Sequence, residues 1–159
     1  DGSSVSAAIL PEATWLARAF GADMELMRVV APPWIGDSLT ALTAGQEDPF
    51  GVDAFAEQAK HELEHLVADL RAGGVSASST VEVSLNPGRA ILDHIKRSNP
   101  DAVALATYGR GLSRLFLGSV ADKVLRASGR PALLYGPHHT ASRSQEIGAR
   151  EPAMASTSA

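Results

Sequence analysis

The chain has 159 residues, 45% of them hydrophobic and 20% charged, which suits one domain with an ordinary buried core. A formal net charge of -4 argues against an electrostatic nucleic-acid binder, which carries a basic face. With no cysteine there is neither a disulfide framework nor a thiolate zinc site, so only His, Asp and Glu are left as metal ligands and a reducing, cytoplasmic setting is expected.

Residues 4–20 place Val5, Ala8, Ile9, Ala13, Leu16 and Phe20 at spacings of three and four, with Gly21 where a helix cap is wanted. The pattern predicts a helix, kinked or tightened near Pro11. The tract DMELMRVVAPP is short, apolar and stopped by Pro32-Pro33, which predicts a buried strand over 24–30. Residues 31–51 carry Pro and Gly without a sustained period and read as a long connection, a place where lids occur. The longest helix is expected over 52–72, ended by Gly73-Gly74.

Val81, Val83 and Leu85 alternate with polar neighbours, as an edge-side strand over 79–85 would. Asn86-Pro87-Gly88 then turns the chain into a helix with Ile91, Leu92 and Ile95 on one face. DAVALAT is a near-continuous apolar strand of the kind found in parallel sheets covered on both faces, here 102–107. A glycine-bearing loop, the helix SVADKVLRASG and a last strand at 132–136 complete the alternation. Beyond Gly136 the sequence is polar and aperiodic and reads as a disordered tail, 137–159. Alternating helices and strands predict an α/β doubly wound parallel sheet. No apolar run approaches the roughly 20 residues of a membrane helix, and DGSSVSAAIL has neither the basic front nor the apolar core of a signal peptide.

Two stretches bear on chemistry. His61-Glu62-Leu63-Glu64-His65 satisfies HExxH, in which two histidines one helical turn apart bind zinc and the glutamate acts as general base. On the helical wheel, however, Phe55, Ala59, Leu63, Leu66 and Leu70 form the apolar stripe, and both histidines fall on the solvated side. The extended form HExxHxxGxxH fails at Ala68 and Arg71, and Glu82 would be a remote third ligand. A solvated helix face is the preferred reading, with no metal site. His94 reads as a partly exposed helix residue, and His138-His139 as the mouth of the tail.

The second stretch is DAVALATYGRGLSRLFLGSVADKVLR. A buried strand runs into a loop with Gly109, Gly111 and Gly118, and Ser119 opens a helix in which Ser119 to Asp122 has capping-box spacing. Gly118 also lets an anion approach the backbone N–H groups at the positive end of the helix, with Arg110 and Arg114 nearby. It is not a P-loop, because GxxxxGK[ST] is absent and Lys123 lies too far into the helix.

These residues carry a resemblance. ATYGRGLSRLFLGSVADKVLRASGRPALLY, with DGSSVSAAILPEATWLARAFGAD and LMRVVAPP upstream, is similar to the universal stress protein family over residues 1–136, in the family's order. The resemblance implies a five-stranded parallel sheet of order 3-2-1-4-5, of the adenine nucleotide alpha hydrolase-like class, commonly dimeric. Its nucleotide-binding members hold ATP or a related adenine nucleotide. The family motif G-x2-G-x9-G-[ST] falls on Ala106, Gly109 and Gly118-Ser119, so alanine replaces the first glycine and eight residues, 110–117, stand where the motif has nine. The aspartate that ends the family's first strand falls on Asp1, and the adenine-contacting valine on Val29 or Val30. The first strand itself has no counterpart here, so a domain lacking that strand, and its numbering begun inside it, is expected.

The implied function is a non-enzymatic regulatory module of the stress response that binds ATP, ADP or AMP through Asp1, Val29, Val30, Ala106, Gly109, Gly118, Ser119 and Val120; whether magnesium accompanies the nucleotide is left open. A homodimer through the last strand, Pro131, Ala132, Leu133, Leu134 and Tyr135, is expected. The alternatives are a nucleotide-independent dimerising module of the same family, a slow ATP hydrolase and the zinc protease.

Overall fold

The structure, a computed structural model, describes residues 1–31, 51–107 and 117–136. The body of the long connection, the loop with Gly109, Arg110, Gly111 and Arg114, and the tail beyond Gly136 lie outside the described residues.

The first helical tract is two helices, α1 (Ser4–Ala7) and α2 (Leu10–Phe20), where one kinked helix is expected. Ser3 caps α1 by accepting from the Ser6 amide at 3.1 Å. Pro11 stands in the first turn of α2, where its missing N–H costs nothing, so proline starts a helix here instead of bending one. Gly21, at φ 61°, closes α2 in the left-handed conformation that glycine adopts without strain.

Strand β1 (Met24–Val30) follows the sequence reading, as does α3 (Val52–Ala72). Strand β2 is Ala77–Val83, two residues earlier than expected at each end. The turn claims the difference: Ser84 Oγ accepts from the Asn86 amide at 3.1 Å, and Asn86 Oδ1 accepts from the Arg89 amide at 3.1 Å, capping α4 (Pro87–Ser98). Leu85, expected to point inward, is consequently 71% exposed. The chain ends with β3 (Val103–Ala106), α5 (Ser119–Ala127) and β4 (Ala132–Tyr135).

All pairing among the described residues is parallel. β1 pairs with β2 from Met24 opposite Ala77 to Val30 opposite Val83, and β3 pairs with β4 from Val103 opposite Ala132 to Ala106 opposite Tyr135. Among the described residues no ladder joins the two pairs. The register sorts the side chains of β1–β2. Arg28 meets Glu62 of α3 on one face, while Glu25 and Glu82 meet His94 of α4 on the other, so helices cover both faces as a doubly wound α/β domain requires.

The core lies where helix stripes meet the sheet: Ile9 and Ala17 on the first segment, Ala59, Leu63 and Val67 on α3, Ala90, Leu92 and Ile95 on α4, and Ala121 and Val124 on α5. Helix α4 lies against β1 and also packs on α5. Phe20, placed on the buried stripe by periodicity, is 81% exposed, because it is the last residue of α2 before the chain turns at Gly21. No helix among the described residues is long and apolar enough to cross a membrane.

Candidate functional site at the start of helix α5

Gly118 is the N-cap of α5, with φ -57° and ψ 148°, and its carbonyl accepts the first helical bond from the Asp122 amide at 2.9 Å. This is ordinary extended backbone, so conformation does not demand a glycine; space is the relevant property. Among the described residues a Cβ built on Gly118 meets nothing within 4 Å. The capping box expected from Ser119 and Asp122 does not form. Ser119 is the first helical residue, one position too late to cap, and it is exposed. Asp122 does not reach back, because Arg126 Nε, one turn on, bonds both of its carboxylate oxygens at 2.9 and 3.0 Å.

Val29 and Val30 are the last residues of β1, both half-buried, and Ala106 is the last residue of β3, opposite Tyr135. Asp1 is exposed, and its carboxylate accepts from the Ser3 amide at 3.0 Å and the Ser3 hydroxyl at 2.7 Å. A Cβ on Gly2 would collide with the Arg28 guanidinium. The chain start therefore lies beside β1, while α1 packs on β3. Gly118, Ser119 and Val120 stand together at one helix start. Val29 and Val30 belong to the other strand pair and are linked to them through α4. Gly109 lies outside the described residues.

Two side chains near this site are not assigned a place by sequence alone. Lys123 Nζ donates to Asn86 Oδ1 at 3.3 Å and its stem covers Gly88, where a Cβ would lie 2.9 Å from the lysine Cδ. The lysine thus turns across to the start of α4. His94, read as a partly exposed helix residue, is only 14% exposed at its side chain and has carboxylate partners on two strands.

The HExxH residues take structural places. His61 is 74% exposed at its side chain and 3.7 Å from Glu64, and His65 is exposed, as the helical wheel requires. Glu62, the general base of the motif reading, instead bonds Arg28 of β1 and accepts from Gln58 at 3.0 Å. Hydrogen bonds from Arg28 and then Gln58, with the Arg28 charge, hold its carboxyl below the usual pKa range, favouring an ion-pair partner over a proton acceptor.

The chain is a parallel α/β domain in which a glycine stands at the start of the helix that follows β3. More narrowly, the chain belongs to the universal stress protein family, whose model matches residues 1–136. A universal stress protein family member from Burkholderia pseudomallei shares the fold with a TM-score of 0.63 at 20% identity, over 84% of this chain and 89% of that one. The universal stress protein of Archaeoglobus fulgidus in complex with dAMP gives 0.56 at 18% identity, over 84% and 90%. A universal stress protein family protein from Arabidopsis thaliana with AMP bound gives 0.53 at 19% identity, over 89% and 86%. Comparison with curated proteins gives no match.

Proposed function

We propose that the chain is a regulatory binding module that takes an adenine nucleotide, ATP, ADP or AMP, at the carboxyl edge of its strands. The observation that carries this reading is the N-cap at Gly118, clear of neighbours among the described residues, in a fold shared with family members whose structures hold AMP and dAMP. Gly118, Ser119 and Val120, with Gly109 before them, would receive the phosphates; Val29 and Val30 would bracket the base, beside Ala106 and Asp1. Such a module works by occupancy rather than turnover, and we place it in the cytoplasm as a homodimer joined through β4. Nucleotide released from purified, denatured protein, identified by chromatography, tests the reading and names the ligand. Magnesium dependence follows from repeating the titration with and without the ion.

A second reading has its own observation. Ala106 replaces the first motif glycine, and the stretch 110–117 is one residue shorter than the family's spacing, which favours a module of the same family that pairs with partners without nucleotide. Protein that releases no nucleotide and binds none at millimolar concentration would select it.

A further inference from the structure

His94, on the third turn of α4, stands between two carboxylates from different strands. Its Nε2 lies 2.9 Å from Glu25 Oε2 on β1, and its Nδ1 lies 3.4 Å from Glu82 Oε1 on β2. In register Glu25 is opposite Ser78, four residues before Glu82, a separation of about 13 Å along the strand. The two long side chains lean toward each other over Thr80, whose hydroxyl donates to Glu25 Oε1 at 2.6 Å. Arg97, one turn beyond His94, bonds Glu82 as well.

This geometry selects a protonation state. A neutral imidazole has one N–H and one lone pair, whereas ionised carboxylates only accept. A neutral ring would therefore aim a lone pair at one of the two glutamates. The imidazolium is hydrogen-bonded to Glu25 and within ion-pair range of Glu82, and with it the cluster of Glu25, Glu82, His94 and Arg97 is neutral. Losing that proton leaves one uncompensated negative charge in a site where the ring is 14% and Glu82 24% exposed.

Helix α4 is the element that lies on β1 and also packs on α5, so the cluster sits where one strand pair is held to the rest of the fold. We propose that His94 is a proton-operated clamp, which locks α4 onto β1 and β2 when the ring is charged and loosens the helix when it is neutral.

The other charged groups around α4 are engaged elsewhere. Asp93 pairs with Arg89 and Lys96 on the outer side of the helix, Lys123 of α5 meets Asn86 at the far end, and Arg28 with Glu62 occupies the opposite face of the sheet. On the acid side, partial burial works to raise the Glu25 carboxyl, but the hydrogen bonds from Thr80 and His94, with the charge on His94, outweigh it and the carboxyl sits below its ordinary value. Its contribution is complete above the unfolded carboxylate value and is lost as pH falls through the lower folded one. On the alkaline side, the contacts that the imidazolium makes with the two carboxylates are lost with its proton. The clamp has a maximum in pH.

The test combines hydrogen exchange of the α4 amides, corrected for intrinsic rates, with imidazole NMR on the unmodified full chain. We expect both nitrogens of His94 to carry protons at the acid end of its titration, and α4 exchange to accelerate several-fold as the ring deprotonates. Exchange that stays flat through the titration overturns the proposal. His94→Gln should make the melting temperature insensitive to pH over that range, whereas His61→Gln with His65→Gln should keep the wild-type slope. A His94→Gln slope equal to that of the wild type also overturns it. If His94→Gln does not fold, the NMR and exchange arms on the unmodified chain decide.

Discussion

Arg28 of β1 and Glu62 of α3 form an ion pair across the face of the sheet, and this pair assigns the glutamate of the HExxH sequence to the fold. The carboxylate pairs with a strand cation while staying exposed, and His61 and His65 are exposed as well. Motif spacing alone places all three residues on one helix; the strand beneath decides which way each is used.

Stability should therefore follow Glu62 and ignore the histidines. Because the folded Glu62 carboxyl is held below its ordinary value, its contribution is present above the unfolded carboxylate value and lost as pH falls through the folded one. Glu62→Gln should lower the melting temperature at neutral pH and converge with the wild type in acid. His61→Ala with His65→Ala should leave it unchanged. One tightly held zinc per chain in untagged protein would contradict this account.

The joint between α4 and α5 makes a second, sharper demand on packing. Val124 is 0% exposed, whereas its neighbour Leu125 is 37% exposed. Val124→Ala should cost about 2 kcal/mol, from lost burial plus the cavity left behind. Leu125→Ala should cost well under half as much in the same urea titration. Equal losses would mean that α5 presents a different face to its neighbour.

The sequence carried those features that one element determines by itself. Helix α3 runs from Val52 to Ala72 as its apolar stripe and terminal glycines predict, and β1 spans Met24 to Val30 between breakers. Features that depend on competition are not legible in one element alone. The alternation of Val81, Val83 and Leu85 gives no warning that Ser84 and Asn86 begin a turn, and the Ser119 capping spacing ignores the Arg126 that captures Asp122. That second competition was nevertheless visible, since Asp122 and Arg126 stand four apart on one helix. The setting of His94 was not, because its partners arrive from strands 69 and 12 residues away. At the candidate site, the sequence named the helix start at Gly118 and Ser119, while the reach of Lys123 to Asn86 appears only when α4 and α5 are packed.

Strand β4 pairs with β3 along one edge, and its residues are all half-buried within a single chain. A second copy pairing on the opposite edge would cover them, which is the basis for a homodimer through 131–136. Leu133→Lys should shift sedimentation from dimer to monomer with the helical signal retained. A wild-type chain that sediments as a monomer at micromolar concentration, or a variant that sediments like the wild type, rules out this interface.

The nucleotide reading makes its own demand on the start of α5. Gly118 has ordinary backbone angles and, among the described residues, no neighbour within 4 Å of its Cβ position, so Gly118→Val should fold normally while filling the place a phosphate needs. Ser119 does not cap the helix, so Ser119→Ala should leave stability unchanged and cost binding about 1 kcal/mol, the worth of one hydrogen bond from its hydroxyl. Calorimetric titration of ATP, ADP and AMP into wild type and both variants, beside their urea unfolding curves, separates the two effects. Nucleotide affinity unchanged in Gly118→Val would remove the phosphate site from this helix start; a loss of stability in Ser119→Ala equal to its loss of binding would mean that the serine acts through the helix.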